Sequence, residues 1–231
     1  MLVIDPQIKE RFARLQQRWR DPLLTLLTIM LALILFVLAP LYATGTVRSD
    51  GFEFAIFLLC TAALFVVSSS PLTVVWVLIA IGISAVATIL RFYHSPLDLY
   101  FDATAWVILG FSVGWVIARA VFGPGEVTYH RIMGAILLYL TIGATFVGLF
   151  TFVGLIVPRA FSGIVMDDSP ALPSNFIYFS FVTLTSTGYG DIVPLHPIAR
   201  SLSNIEGIIG QLYPATLLAR LVSLEIARRR K

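Results

Sequence analysis

Six long apolar runs dominate this sequence, at 23–43, 52–69, 72–90, 103–122, 131–157 and 197–222. Each is long enough to cross roughly 30 Å of hydrocarbon at about 1.5 Å per residue. Such runs leave the chain few choices. With no water in the bilayer core, every backbone N–H and C=O must be bonded within the protein, so spanning segments fold as helices or as a closed barrel, and continuous runs of this length are helical. The expected class is therefore all-α integral membrane, with six transmembrane helices. The composition agrees: 58% of the 231 residues are hydrophobic and 13% are charged, against about 45–50% and about 25% in soluble domains. Cys60 is the single cysteine, which excludes an intrachain disulfide and a thiolate zinc site.

A seventh apolar stretch, from Phe176 to Leu184, is too short to span and runs straight into glycines. It fits a re-entrant segment buried in protein. The run at 23–43 ends at Tyr42-Ala43-Thr44-Gly45 without a good cleavage pattern, so it is expected to be retained as the first helix. Ahead of it, residues 1–21 place Ile8, Phe12, Leu15 and Trp19 at helical spacing opposite Arg11, Arg14 and Arg18. That basic segment reads either as a helix lying in the headgroup region or as a frayed tail.

Six spans put both termini on one side of the membrane, together with 12 of the 16 basic residues: Lys9, Arg11, Arg14, Arg18, Arg20, Arg119, Arg131, Arg220, Arg228, Arg229, Arg230 and Lys231. The excess of positive charge makes that side cytoplasmic. The other side carries Arg48, Arg91, Arg159 and Arg200 with seven acids, Asp50, Glu53, Asp98, Asp102, Asp167, Asp168 and Asp191. An acidic outer mouth concentrates cations. The net charge of +3 is too small and too dispersed for a nucleic-acid surface. Turn residues at Ser68 to Pro71 and Gly123 to Gly125 mark short connections, and the latter separates a four-helix unit, 22–125, from a two-helix unit, 126–231.

The chemistry lies in the second unit. A helix is expected over 175–185, with Ser174 as N-cap. Ser186-Thr187-Gly188-Tyr189-Gly190-Asp191 follows. Gly188 and Gly190 permit a short strand to alternate between backbone conformations that a residue with a Cβ resists. Successive carbonyls then point one way, and a ring of such strands replaces the hydration shell of a cation. The preceding helix aims its C-terminal partial negative charge at the membrane centre.

This segment, Tyr178 to Asp191, resembles the pore region of the tetrameric potassium channels, in which a pore helix ends in a Thr-x-Thr-Thr-Val-Gly-Tyr-Gly-Asp signature; the flanking spans match more loosely. The resemblance implies a compact bacterial six-helix channel subunit in the cell membrane, with an outer helix at 131–157, a pore helix at 175–185 containing Thr183 and Thr185, and an inner helix at 197–222. It implies a selectivity filter at Ser186, Thr187, Gly188, Tyr189 and Gly190, binding K+ at the first four, with Asp191 at the outer end. It also implies a homotetramer, because each chain supplies one filter strand. Potassium is then the permeant ion, and no cofactor is expected. Ser186 stands at a threonine position but keeps the hydroxyl, and Thr187 replaces valine at nearly the same shape.

Glu206 is the one charged residue well inside a span, and burying its charge costs several kcal/mol. Two readings stay open: a carboxyl bonded behind the filter to Thr183, Ser180 or Tyr213, or a group that attracts ions or senses protons. By resemblance, Gln211, Pro214 and Leu218 face the cavity, and Gly210 falls at a hinge position or serves packing. Pro214 is expected to kink the helix against Gly210. The span at 103–122 holds Arg119 alone, whereas a voltage sensor needs several cations, each gaining only about 2.3 kcal/mol per 100 mV. Strong voltage gating is not expected, and gating falls to the bundle, lipid, pH or a separate regulatory partner. The rival readings are a nonselective cation channel and a non-conducting regulatory subunit. A membrane enzyme lacks a nucleophile, base and orienter set, since Ser180 and Ser186 have no histidine nearby in sequence.

Overall fold

The computed structural model describes residues 24–47, 59, 71–93, 95, 97–123, 129–167 and 169–229. The basic segment at 1–21 lies outside these residues, as does the span at 52–69 apart from Leu59, which is helical and buried. The described chain is helical, with α1 at Leu24–Ala43, α2 at Pro71–Phe92, α3 at Asp98–Phe122, α4 at Tyr129–Ile156, α5 at Ala171–Leu184 and α6 at Pro197–Arg229. Two short strands, β1 at Phe161–Ser162 and β2 at Val193–Pro194, pair antiparallel.

Among the described residues, α1 to α4 are long and apolar enough to cross a membrane. Four of the six expected spans are thus met among the described residues. The run at 52–69 is not described apart from Leu59, and α6 has the length, at 33 residues, but Arg200, Ser201, Ser203, Asn204 and Gln211 interrupt its apolar surface and Glu206 its apolar sequence. Several boundaries also move outward. α3 begins at Asp98 rather than 103, because Arg91 Nε pairs with Asp98 Oδ2 at 3.1 Å and Arg91 Nη2 with Asp102 Oδ2 at 2.5 Å, which holds the first turn on the end of α2. Asp98 is 3% exposed, so it is an enclosed partner rather than part of an open acidic mouth. α6 continues to Arg229, past the expected end at 222, and stays one helix through Pro214.

α4 organises the bundle, packing against α3 on one side and against α5 and α6 on the other. One core joins Leu27, Leu31, Ile34 and Leu35 of α1 to Val113, Ile117, Leu137 and Ala144 of α3 and α4. A second core is aromatic: Phe150 meets Phe179 at 4.9 Å between ring centroids, and Phe161 meets Phe176 at 5.3 Å, both edge to face. Such pairs add about 0.5–1.5 kcal/mol each beyond area burial. Phe36 of α1 sits edge-on to Phe181 of α5 at 4.9 Å, so the first helix also supports the short one.

α5, at 14 residues, is about 21 Å long and cannot span. It starts at Ala171, with Pro170 rather than Ser174 at its N-cap. Pro173 is tolerated inside the first turn because the N–H groups there have no helical partner to lose.

Candidate functional site

The end of α5 and the start of the filter-like segment are one structural unit. Ser186 N–H donates to Thr183 O at 2.9 Å and Thr187 N–H to Val182 O at 2.9 Å. This pair of bonds, with a left-handed residue at the turn, is a Schellman motif. Glycine usually takes that position; here it is Ser186, at φ 57°. The motif occupies two of the terminal carbonyls, and a third, Leu184 O, accepts from the Tyr139 hydroxyl at 3.3 Å. The free end charge expected of this helix is correspondingly reduced.

Positive φ recurs at Ser186, Gly188 (57°) and Gly190 (81°), whereas Thr187 and Tyr189 between them keep negative values. A strand that alternates hand in this way turns each peptide plane back, so its carbonyls do not alternate as in a sheet. Residues 185–191 are all exposed. Among the described residues, the carbonyls of Ser186, Thr187, Gly188 and Tyr189 accept no hydrogen bond. A Cβ built on Gly188 or Gly190 would meet nothing within 4 Å, so φ alone restricts these positions. Within a membrane, unpaired backbone of this kind is tolerated where it lines a water-filled passage or is covered by protein.

Each end of the strand is fixed. Thr185 Oγ1 donates to Phe181 O at 2.6 Å and lies 2.9 Å from Thr187 Oγ1, which turns the Thr187 hydroxyl back toward the helix end. Tyr189 is 71% exposed and stacks parallel on Tyr178 of α5 at 6.2 Å between ring centroids. Beyond Asp191, β2 pairs with β1, and the N–H of Leu195 donates to Ala160 O at 2.8 Å. This clip was not anticipated; two-residue strands carry no periodicity to read.

α6 divides the remaining candidates between two faces. Gln211, Pro214 and Leu218 form an exposed stripe, Leu218 at 63%. Gln211 Nε2 donates to Ser186 Oγ at 2.7 Å. Glu206 is 0% exposed, on the opposite face. Its Oε1 lies 2.5 Å from Ser180 Oγ, which lies 2.9 Å from Gly143 O, and its Oε2 has no partner among the described residues. Of the three partners considered from sequence, Ser180 is the one met, and Glu206 is walled off from the exposed stripe by its own subunit. Tyr213 instead donates to Ala135 O at 2.7 Å. Gly210 is buried on α5: a Cβ there would collide with Leu184 O and lie 2.8 Å from its carbonyl carbon. Its observed role is close packing.

At the other end of the bundle, Arg119 stacks over Trp115 at 5.6 Å, while Arg220 of α6 stacks over Phe122 at 5.3 Å and donates to Gly123 O at 2.6 Å. The inner-helix candidate is thereby tied to the end of α3.

A short non-spanning helix thus delivers an exposed, carbonyl-bearing strand beside the exposed stripe of a long helix. A family model described as ion channel matches residues 155–226, from the end of α4 through α5 and the strand into α6. The likeness to ion channels is that of this segment, 72 of the 231 residues. No curated protein and no solved structure matches the chain.

Proposed function

We propose that this protein is a potassium-selective channel subunit, in which Ser186 to Gly190 line the ion path and four copies surround it. The observation that carries the reading is the row of unpaired carbonyls from Ser186 to Tyr189, on a backbone of alternating hand, in a chain built for the membrane. A single strand offers a cation one side of a coordination shell. Several copies around an axis close it, and backbone carbonyls supply a moderate field that replaces water without holding the ion too tightly to leave. Four strands are the number that the potassium-channel resemblance implies.

The unfilled surface of α6 supports assembly. Ile205, Ile208 and Leu212 are all exposed in the single chain, and the stripe of Gln211, Pro214 and Leu218 runs beside them. Apolar members of this face would meet lipid or neighbouring subunits, and polar members the water-filled cavity. In this arrangement 52–69 and α6 are also spans, both termini are cytoplasmic, and the site of action is the cell membrane, by the charge distribution a bacterial inner membrane. Permeation is passive, and α1 to α3 serve as support rather than as a charged voltage sensor.

Proteoliposomes holding the purified chain test this. Potassium efflux down a gradient, with little sodium efflux and with four copies per particle by native mass, is the expected result. Equal fluxes of the two ions would replace the reading with a nonselective channel, and no flux with a non-conducting subunit.

A further inference from the structure

Ser186 has to hold a hydroxyl at the inner mouth of the strand, and serine is poorly suited to the task. A single heavy atom on Cβ leaves three χ1 wells open, whereas a β-branched side chain is stiff. Its neighbours do not help, because Thr185 and Thr187 bond each other. The partner comes from another helix: Gln211 Nε2 reaches across 25 residues of sequence to Ser186 Oγ at 2.7 Å. Gln211 is brought there by Gly210, which lies on the Leu184 backbone two residues before the strand. The amide N–H occupies one lone pair of the hydroxyl oxygen. The hydroxyl hydrogen and one lone pair remain, and beside a cation the hydrogen turns away while the lone pair turns inward.

We propose that Gln211 is a specificity-determining residue, whose amide fixes Ser186 Oγ as the innermost ligand of the ion path. This rests on the reading of Ser186 to Gly190 as a potassium filter. At φ 57° a β-branched residue would be strained at 186, so serine stands there and the inner helix supplies the rigidity that its side chain lacks.

The test is a double-mutant cycle read as the potassium-to-sodium permeability ratio of the reconstituted full chain. Gln211→Leu should lower the ratio about fivefold, the factor one lost hydrogen bond corresponds to. Gln211→Asn, one methylene too short to reach, should do the same and serves if the leucine variant does not assemble. In the Ser186→Ala background, which has no hydroxyl for the amide to hold, Gln211→Leu should change the ratio by less than about twofold. An unchanged ratio in Gln211→Leu, or an equal loss in both backgrounds, overturns the proposal. So does failure of both Gln211 variants to assemble, since the residue is then structural. An unmodified chain with no preference for potassium overturns the filter reading itself. That outcome is distinct from a selective parent whose Gln211 variants are equally selective.

Discussion

Replacing Gly210 with alanine should reverse the sign of an ordinarily stabilising change. In an exposed helix interior, Gly→Ala gains about 1 kcal/mol of helix propensity. At Gly210 the added Cβ would overlap Leu184 O and sit 2.8 Å from the Leu184 carbonyl carbon and 3.1 Å from its Cα. These are backbone atoms of the last residue of α5, which cannot rotate away. Restoring ordinary contact requires α6 to draw back by roughly 1 Å or more, and overpacking of this kind costs about 1–3 kcal/mol. The same displacement would carry Gln211 Nε2 from 2.7 Å to beyond hydrogen-bonding range of Ser186. Gly82 provides the control, since it lies within α2, exposed, with nothing within 4 Å of its added Cβ. Thermal unfolding of the two purified variants in detergent, followed by circular dichroism, separates the cases. Gly82→Ala should unfold at or above the temperature of the parent and Gly210→Ala below it. Equal stabilisation in both would refute the claim that α6 rests on the end of α5 at this point.

Glu206→Gln should retain assembly and conductance, because the amide oxygen can still accept from Ser180, whereas Glu206→Ala should lower stability by about 2–4 kcal/mol through the cavity left among α4, α5 and α6, checked by thermal unfolding. Gly190→Ala should assemble yet lose selective conduction, because φ 81° disfavours any Cβ; retained selectivity in flux assays would place the carbonyl ring elsewhere. A conductance–voltage curve should be shallow, since Arg119 is the one basic residue of α3 and is stacked on Trp115 at the helix end; a steep curve would require cations that this helix lacks.

The helices were legible wherever apolar length fixes them. α1 to α4 follow the hydropathy runs because a lipid-facing segment announces itself residue by residue. The limits were less visible: Asp98 and Asp102 look like loop acids until Arg91 is seen to neutralise them across the α2–α3 turn. The glycine alternation at Gly188 and Gly190 was readable, because only backbone freedom explains glycine there, but the left-handed turn at Ser186 was not, since serine does not advertise it. Periodicity marked Gln211, Pro214 and Leu218 as one stripe, and the structure leaves that stripe exposed. Periodicity could not say that Gln211 bonds Ser186 or that Gly210 seats on Leu184, because both depend on how closely two helices approach. Glu206 was conspicuous as a carboxyl in a span, and its pairing with Ser180 decided which of its two open readings the geometry favours.

The central claim is that the unpaired carbonyls of Ser186 to Tyr189 form a potassium-selective path. Its most direct test is the reversal potential of the purified chain in a planar bilayer, with potassium on one side and sodium on the other. Selective permeation displaces the reversal potential by about 59 mV for each tenfold preference, in the direction that potassium flow sets. The account predicts a displacement of at least that size, and a reversal potential at zero would contradict it.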